Sequence, residues 1–398
     1  MSPRRRQRRR AVTRVCGVWT CGVVLALVPA LARAQAVGPS SATARDSVPR
    51  ERTRPVWQLG LEAGSAHEQD VRFIGDGADD TFHRAGGTLS GGFANRRWRA
   101  ELEARGEVVR FATLRDLDRE TYDFGATFSW RLTPRVQTQL AARALTSTMP
   151  SGIAQLDPTV LPLLITRTQS GVLSFAGRLS PTADLVLAVD GTNIRFDAPG
   201  FAGGRTGGAL LRVSGQPHRT TALAVQADAR RAEFDSLGVT TALLEGELAP
   251  VLGGVRVRLR AGATATLAAG GEPTRIEPTG TVELSRTLRR WTLQAIGSRS
   301  VLPAFGFGRV FRTELAGVSA QYARLRGATV RVAADASRNV DPFTPALDLS
   351  FTSLTAELQQ PVGDRLRVLL TAFTRQRVQD VRFANQGVTL SARFDTSR

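Results

Sequence analysis

The 398-residue chain carries 53 basic residues, all of them arginine, against 35 acids, and its formal charge is +18. Its two cysteines, Cys16 and Cys21, both lie near the N-terminus, so disulfide frameworks, zinc–thiolate centres and cysteine nucleophiles are excluded beyond that segment. The arginines are spread through strand-like segments, which argues against nucleic acid and toward an anionic membrane surface or anionic solutes.

Met1 to Arg14 contains seven arginines and no acid, Val15 to Ala32 is apolar, and small residues recur at Ala30, Ala32, Ala34 and Ala36. A charged head, an apolar middle and an A-x-A tail predict a cleaved signal peptide over 1–34. Its removal takes away eight arginines and no acid, lowering the charge from +18 to +10. Residues 35–54, rich in Pro, Ser, Thr and charge, read as a flexible periplasmic lead-in, and 55–398 reads as one domain.

No later stretch reaches the ~20 apolar residues that a membrane helix needs, so a span of the membrane must be made by strands. Tyr122, Phe124, Ala126, Phe128 and Trp130 occupy alternate positions, with Thr121, Asp123, Thr127, Ser129 and Arg131 between them. That is a two-faced strand. Similar segments start at Trp57 and Trp98, and continue at Val136, Leu173, Leu185, Val255, Trp291, Ala328, Leu366 and Val388. Weaker candidates included, about 18 strands are expected, with 16 as the alternative, and an even number places both chain ends on one side. Leu223 to Leu237 also suits a helix.

Turn-forming stretches fall at Ala94–Arg96, Leu132–Pro134, Ser180–Thr182, Gly215–Pro217 and Gln360–Asp364. Longer connections are expected at 66–84, 107–119, 147–168, 195–207, 298–310 and 375–386. Short turns on one side and long loops on the other predict a closed, antiparallel, up-and-down transmembrane β-barrel, all-β, in an outer membrane, with the short turns periplasmic. Its contacts with membrane lipid follow from that placement.

The polar face is rich in arginine. Arg97, Arg99, Arg256, Arg258, Arg260, Arg290, Arg331, Arg365 and Arg367 are expected to line the lumen, where an uncompensated surplus would concentrate anions. A salt-bridged interior that only keeps the lumen hydrated is the alternative. In the 147–168 connection, Asp157, Leu161, Leu163 and Leu164 are candidates for a constriction or an apolar plug, and the apolar 301–311 stretch is a second element that could pack there.

Three histidines, His67, His83 and His218, support no catalytic constellation, so no enzyme activity and no cofactor is expected. His67, Asp70, Asp76, Asp79, Asp80 and His83 match no calcium or zinc spacing and read as a solvated acidic loop.

Gly387, Val388, Leu390, Ala392 and Phe394 resemble the C-terminal assembly signal of bacterial outer-membrane β-barrel proteins. The resemblance implies the barrel-assembly machinery as a partner, and in pattern it extends over the whole 55–398 segment. In general porins, which this architecture resembles, the third external loop folds inward, and the 147–168 connection is third in order here. The function expected is a passive or weakly anion-selective channel for small polar solutes. Competing readings are a plugged barrel serving as receptor, adhesin or structural protein, and a transporter of hydrophobic solutes.

Overall fold

The computed structural model describes residues 56–71, 78–147, 165–197, 201–234, 237–268, 273–305, 308–324, 327–343, 348–378 and 382–396. Segments 1–34 and 35–54, and the loop residues Asp157, Leu161, Leu163 and Leu164, lie outside them.

Eighteen strands follow one another in a single sheet. In chain order they are β1 (Val56–Gln69), β2 (Asp80–Ala94), β3 (Trp98–Phe111), β4 (Arg119–Thr133), β5 (Val136–Ser147), β6 (Thr166–Ser180), β7 (Ala183–Phe196), β8 (Gly204–His218) and β9 (Thr221–Phe234). The second half comprises β10 (Gly238–Leu252), β11 (Val255–Ala268), β12 (Arg275–Leu288), β13 (Trp291–Ala304), β14 (Arg309–Ala323), β15 (Thr329–Val340), β16 (Asp348–Val362), β17 (Leu366–Val378) and β18 (Arg382–Asp395). Each strand pairs antiparallel with its neighbour, and β1 pairs with β18 from Gly60↔Asp395 to Gln69↔Gln386, which closes the wall. Beyond the last strand Thr396 extends the seam, its N–H donating to the Leu59 carbonyl at 2.8 Å. With no free edge, the backbone satisfies itself, as a lipid-facing sheet requires.

The alternation that defines the strands sorts their side chains. Phe124, Leu140, Val189, Leu244 and Val318 are exposed large apolar residues on the outer face. On a soluble protein this would be an aggregation surface; on a closed barrel it is the lipid-facing belt. Trp57, Trp98, Trp130, Trp291, Tyr322 and Phe394 sit near the strand ends that carry the short turns. Ring contacts such as Phe93–Trp98 at 4.5 Å and Trp291–Tyr322 at 5.0 Å link them into an interfacial girdle on that rim. Near the opposite, loop-bearing rim the outer face turns charged, with Arg205–Glu233 at 2.6 Å and Arg231–Glu233 at 2.9 Å.

Four expectations shift. Leu223 to Leu237 is not helical, since Thr221–Phe234 is β9. Its odd positions, with Val225 exposed, face out, while Ala232 and Phe234 are buried inside, a period of two that outweighs alanine's helix propensity. The turn expected at Gly215–Pro217 lies farther on, at Arg219–Thr220, because an irregularity between Gly215 and His218 carries Gln216 and Pro217 within β8. The stretches 298–310 and 375–386 are mostly strand, with connections only at 305–308 and 379–381.

Candidate functional site

Of the nine arginines expected on the lumen wall, six lie in strands on the polar, inward face: Arg99, Arg256, Arg258, Arg260, Arg331 and Arg367. Arg97, Arg290 and Arg365 lie in the short turns, at the rim. A residue that ends the apolar alternation by one position belongs to the turn, which the sequence pattern alone does not resolve.

Much of the inward charge is compensated. Glu247 receives Arg212 at 2.9 Å and Arg260 at 3.1 Å, and Arg258 binds Glu283 at 2.9 Å. Arg230 makes two hydrogen bonds to Asp190, at 3.0 and 3.1 Å, and Gln226 donates to Glu245 at 3.0 Å. One strand beyond this stretch, Arg143 of β5 grips Asp123 of β4 through both carboxylate oxygens. The salt-bridged interior therefore describes β7–β12, β4–β5 and also β18–β1–β2–β3, where Arg84 pairs with Glu62, Arg99 with Glu101, Arg105 with Glu107 and Arg393 with Asp395. Arg256, Arg331 and Arg367 have no carboxylate within ion-pair distance among the described residues, although Arg331 stands directly across from Glu357 in the β15–β16 register. Arg367 even stands directly across from Arg393 in the β17–β18 register.

Two apolar clusters narrow the loop-side half of the lumen. The larger joins Ile194 of β7, Phe234 of β9, Val239 of β10, and Leu349 and Phe351 of β16 to Val301, Ala304, Phe305, Val310 and Phe311 of the β13–β14 hairpin. The wall residues among them have inward parity. Ile194, for example, is opposite in phase to the exposed Leu187 and Val189. To touch β7 and β10 on one side and β16 on the other, the hairpin tip must leave the wall and cross the lumen. Phe305 and Phe234 meet edge to face at 5.4 Å, and a Cβ on Gly204 would run into the Glu233 carbonyl oxygen and come within 3.1 Å of the Phe305 ring, so glycine there admits both the neighbouring backbone and the ring.

Pairing between β12 and β13 stops accordingly. It runs from Leu288↔Trp291 only as far as Gly280↔Arg299, while β13–β14 pairing continues to Ala304↔Arg309. A charge cluster fills the resulting angle: Arg299 reaches Glu277 at 2.8 Å and Glu314 at 3.6 Å, and Arg312 reaches Glu277 at 3.6 Å and Glu314 at 3.5 Å. Nearer the tip Arg309 binds the buried Asp341 at 2.6 Å, and Arg275 of β12 stacks on Phe343 at 5.5 Å, bridging over the displaced hairpin.

The smaller cluster places Leu117 of a 3-10 turn (Arg115–Leu117) against Ala66, Val71, Phe82, Val109 and Phe111. Asp80 anchors it. Its carboxylate accepts N–H bonds from Thr113 at 3.1 Å and Leu114 at 2.7 Å, which draws the β3–β4 connection inward. The other polar residues of the expected 66–84 connection, of which His67 falls in β1 and His83 in β2, have similar local duties: Asp79 accepts the Asp70 N–H at 3.0 Å, His83 bonds Ser65 at 2.7 Å, and His67 lies 3.2 Å from the Thr81 hydroxyl. No group of three metal-ligating side chains occurs among the described residues. Asp76 lies outside them.

Sequence reasoning offered the apolar 301–311 stretch as a packing element, which it is; the 147–168 connection, its other constriction candidate, lies outside the described residues from 148 to 164. The signal for the hairpin was a run apolar on both faces, Val301, Leu302, Phe305, Val310 and Phe311, which is what a strand pair surrounded by protein requires.

No family model matches the chain, and no curated protein matches it. Solved structures do. OccAB4 of Acinetobacter baumannii superposes with a TM-score of 0.53 at 8% identity, over 87% of this chain and 100% of that one. OpdO of Pseudomonas aeruginosa gives 0.52 at 13% identity, over 86% and 98%, and the outer membrane protein OpdK of the same organism gives 0.51 at 12%, over 86% and 99%. At such identities the likeness is one of fold: a porin-like outer-membrane β-barrel of 18 strands.

Proposed function

We propose that this chain is an outer-membrane channel for small polar solutes, weakly selective for anions. The observation that carries the reading is a closed 18-stranded wall with a charged inner face, because barrels of roughly 16–18 strands are too wide for wall side chains to fill and hold an aqueous lumen. Arg256 and Arg367, which lack carboxylate partners among the described residues, supply the anion preference, with Arg331 opposite Glu357 contributing less. Elsewhere the paired wall charges keep the lumen hydrated without favouring either sign.

The β13–β14 tip and the 3-10 turn set the solute size limit on the loop side. Asp157, Leu161, Leu163 and Leu164 of the 147–168 connection are assigned a share in that constriction, and deletion of Leu161–Leu164 should enlarge the pore. Residues 1–34 act as the export signal, and Gly387–Phe394 as the segment read by the assembly machinery. Purified protein in a planar bilayer tests the whole: stable steps with a reversal potential shifted toward anions are expected. A folded barrel that passes no current refutes the channel, and a reversal potential at zero refutes the preference.

A further inference from the structure

We propose that the outer wall at the loop-side ends of β6–β9 binds the headgroup of a lipid that carries two phosphates on a sugar scaffold. The site lies outside the lumen, so it stands apart from whether the barrel conducts.

Four arginines point outward there. Arg167 of β6, Arg195 of β7, Arg205 of β8 and Arg231 of β9 share the parity of the exposed Leu173, Val189, Leu211 and Val225 on the same strands. Their height follows from strand geometry. Arg231 lies eight residues beyond Leu223, close to a short turn, and Arg195 eight beyond Leu187. At a strand tilt of about 40° this is about 20 Å along the membrane normal. The apolar band of such a barrel is about 25 Å tall, so the guanidinium groups emerge at headgroup level on the loop side.

Charge is not spread evenly around this rim. On β6–β9 the four arginines meet two acids: Arg167 pairs with Asp197 at 3.0 Å, and Arg205 and Arg231 share Glu233 at 2.6 and 2.9 Å. Elsewhere at that height, the inturned β13–β14 hairpin apart, the described outward pairs are Arg110 with Asp118 and Glu120, and Arg338 with Asp348. There the acids equal or outnumber the arginines. Arg195 has no carboxylate within ion-pair distance among the described residues, and it stands directly across from Arg167. No other two arginines face each other in register on the outer wall among the described residues. Like charges across a strand pair are destabilising, and a belt of ion pairs has no need of one. An anion held between the two guanidinium groups relieves it.

The patch divides into two halves, Arg167, Arg195 and Asp197 on β6–β7 and Arg205, Arg231 and Glu233 on β8–β9. Each half has two arginines, one acid and so one net positive charge. The acid occupies only some of the N–H donors and leaves the rest for a phosphate, which a guanidinium fork binds in bidentate fashion. With side chains 66% and 75% exposed, Arg167 and Arg205 present those donors to the surroundings. The centres of the halves are two strand spacings apart, about 10 Å. Phosphates at the two ends of a disaccharide can span that separation, and a single phosphate cannot. The exposed Leu173, Val189, Leu211 and Val225 directly below receive acyl chains, which selects a lipid over a soluble anion.

The test is native mass spectrometry of the purified, delipidated barrel with diphosphoryl lipid A, monophosphoryl lipid A and inorganic phosphate. The diphosphoryl form should bind at least tenfold more tightly than the monophosphoryl form, since its second phosphate adds charge-assisted hydrogen bonds. Arg195→Gln and Arg205→Gln, one in each half, should each bring the diphosphoryl form down to the monophosphoryl level. Arg338→Gln, on β15 across the barrel, should leave it unchanged, with heat-modifiable gel migration showing all three variants folded. Equal binding of the two lipids, or an equal loss in Arg338→Gln, overturns the site. Displacement of the lipid by millimolar inorganic phosphate also overturns it, because the patch is then a receptor for soluble anions.

Discussion

Truncating Phe305 to alanine should unseat the β13–β14 tip without unfolding the barrel. The ring is 3% exposed, meets Phe234 edge to face at 5.4 Å, and belongs to a cluster in which Ala304 and Phe311 are wholly buried. Removing a buried phenylalanine side chain costs about 3–5 kcal/mol, part of it the ring–ring contact. The wall ladder does not depend on this ring, so the loss falls on docking of the tip and lowers the docked-to-undocked ratio by at least about a hundredfold. Val301, Val310, Phe311 and the Glu277–Arg299–Arg312–Glu314 cluster still hold the hairpin. Phe305→Ala should therefore show brief, larger conductance steps superimposed on the parental level in single-channel recordings. The Phe305→Ala, Phe311→Ala double variant should stay at the larger level and admit larger sugars in liposome swelling. If both variants fold, by heat-modifiable migration, and conduct as the parent does, the tip does not limit the pore.

Three further outcomes follow from named contacts. Glu277→Gln removes the acid shared by Arg299 and Arg312; because both arginines are partly exposed, solvent screening holds the effect to about 1 kcal/mol or less, seen as a few-fold rise in open-step frequency that 1 M salt reproduces in the parent. Asp80→Asn weakens two backbone hydrogen bonds by about 1–3 kcal/mol and should expose Arg115 to trypsin, read as a faster nick between 112 and 118 with the barrel intact. Arg256→Gln, Arg331→Gln and Arg367→Gln together should bring the reversal potential toward zero, whereas Arg260→Gln, which frees Glu247 of one of its cations, should shift it toward cations.

The wall was legible because a lipid-facing sheet must alternate. Val255, Val257, Leu259 and Ala261 announce β11 whatever their neighbours are, and Arg258 and Arg260 fall inward by necessity. What those arginines do was not legible. Glu247 lies on β10 and Glu283 on β12, and their meeting with Arg258 depends on a register that no single strand encodes. Aromatic placement escaped for a related reason. Near the turn rim Trp57, Trp98 and Trp291 point to lipid, yet near the loop rim Phe82, Phe111, Phe234 and Phe351 are buried inside, so one residue type serves the girdle at one end and the constriction at the other.

The ladder break at β12–β13 explains why it is this hairpin that folds inward. A strand pair can leave a closed wall only where the hydrogen bonds it abandons are few or are replaced, since bare amides facing lipid are prohibitive. Pro278 on β12 and Pro303 on β13 stand just past the last pair, Gly280↔Arg299, and proline has no N–H to give to a neighbouring strand. Each therefore removes a backbone donor from the stretch where the ladder ends. Arg299 and Glu314 would face lipid if β13 and β14 continued along the wall at that height, as Ala295 and Val318 do lower down. Turned inward they meet Glu277 and Arg312 instead. Donorless prolines at the break, charges in the angle and apolar residues at the tip thus favour the same geometry at three successive levels of one hairpin. Restoring donors with Pro278→Val and Pro303→Val should extend the β12–β13 ladder and raise conductance; if these substitutions leave conductance at the parental level, the prolines do not set the departure point.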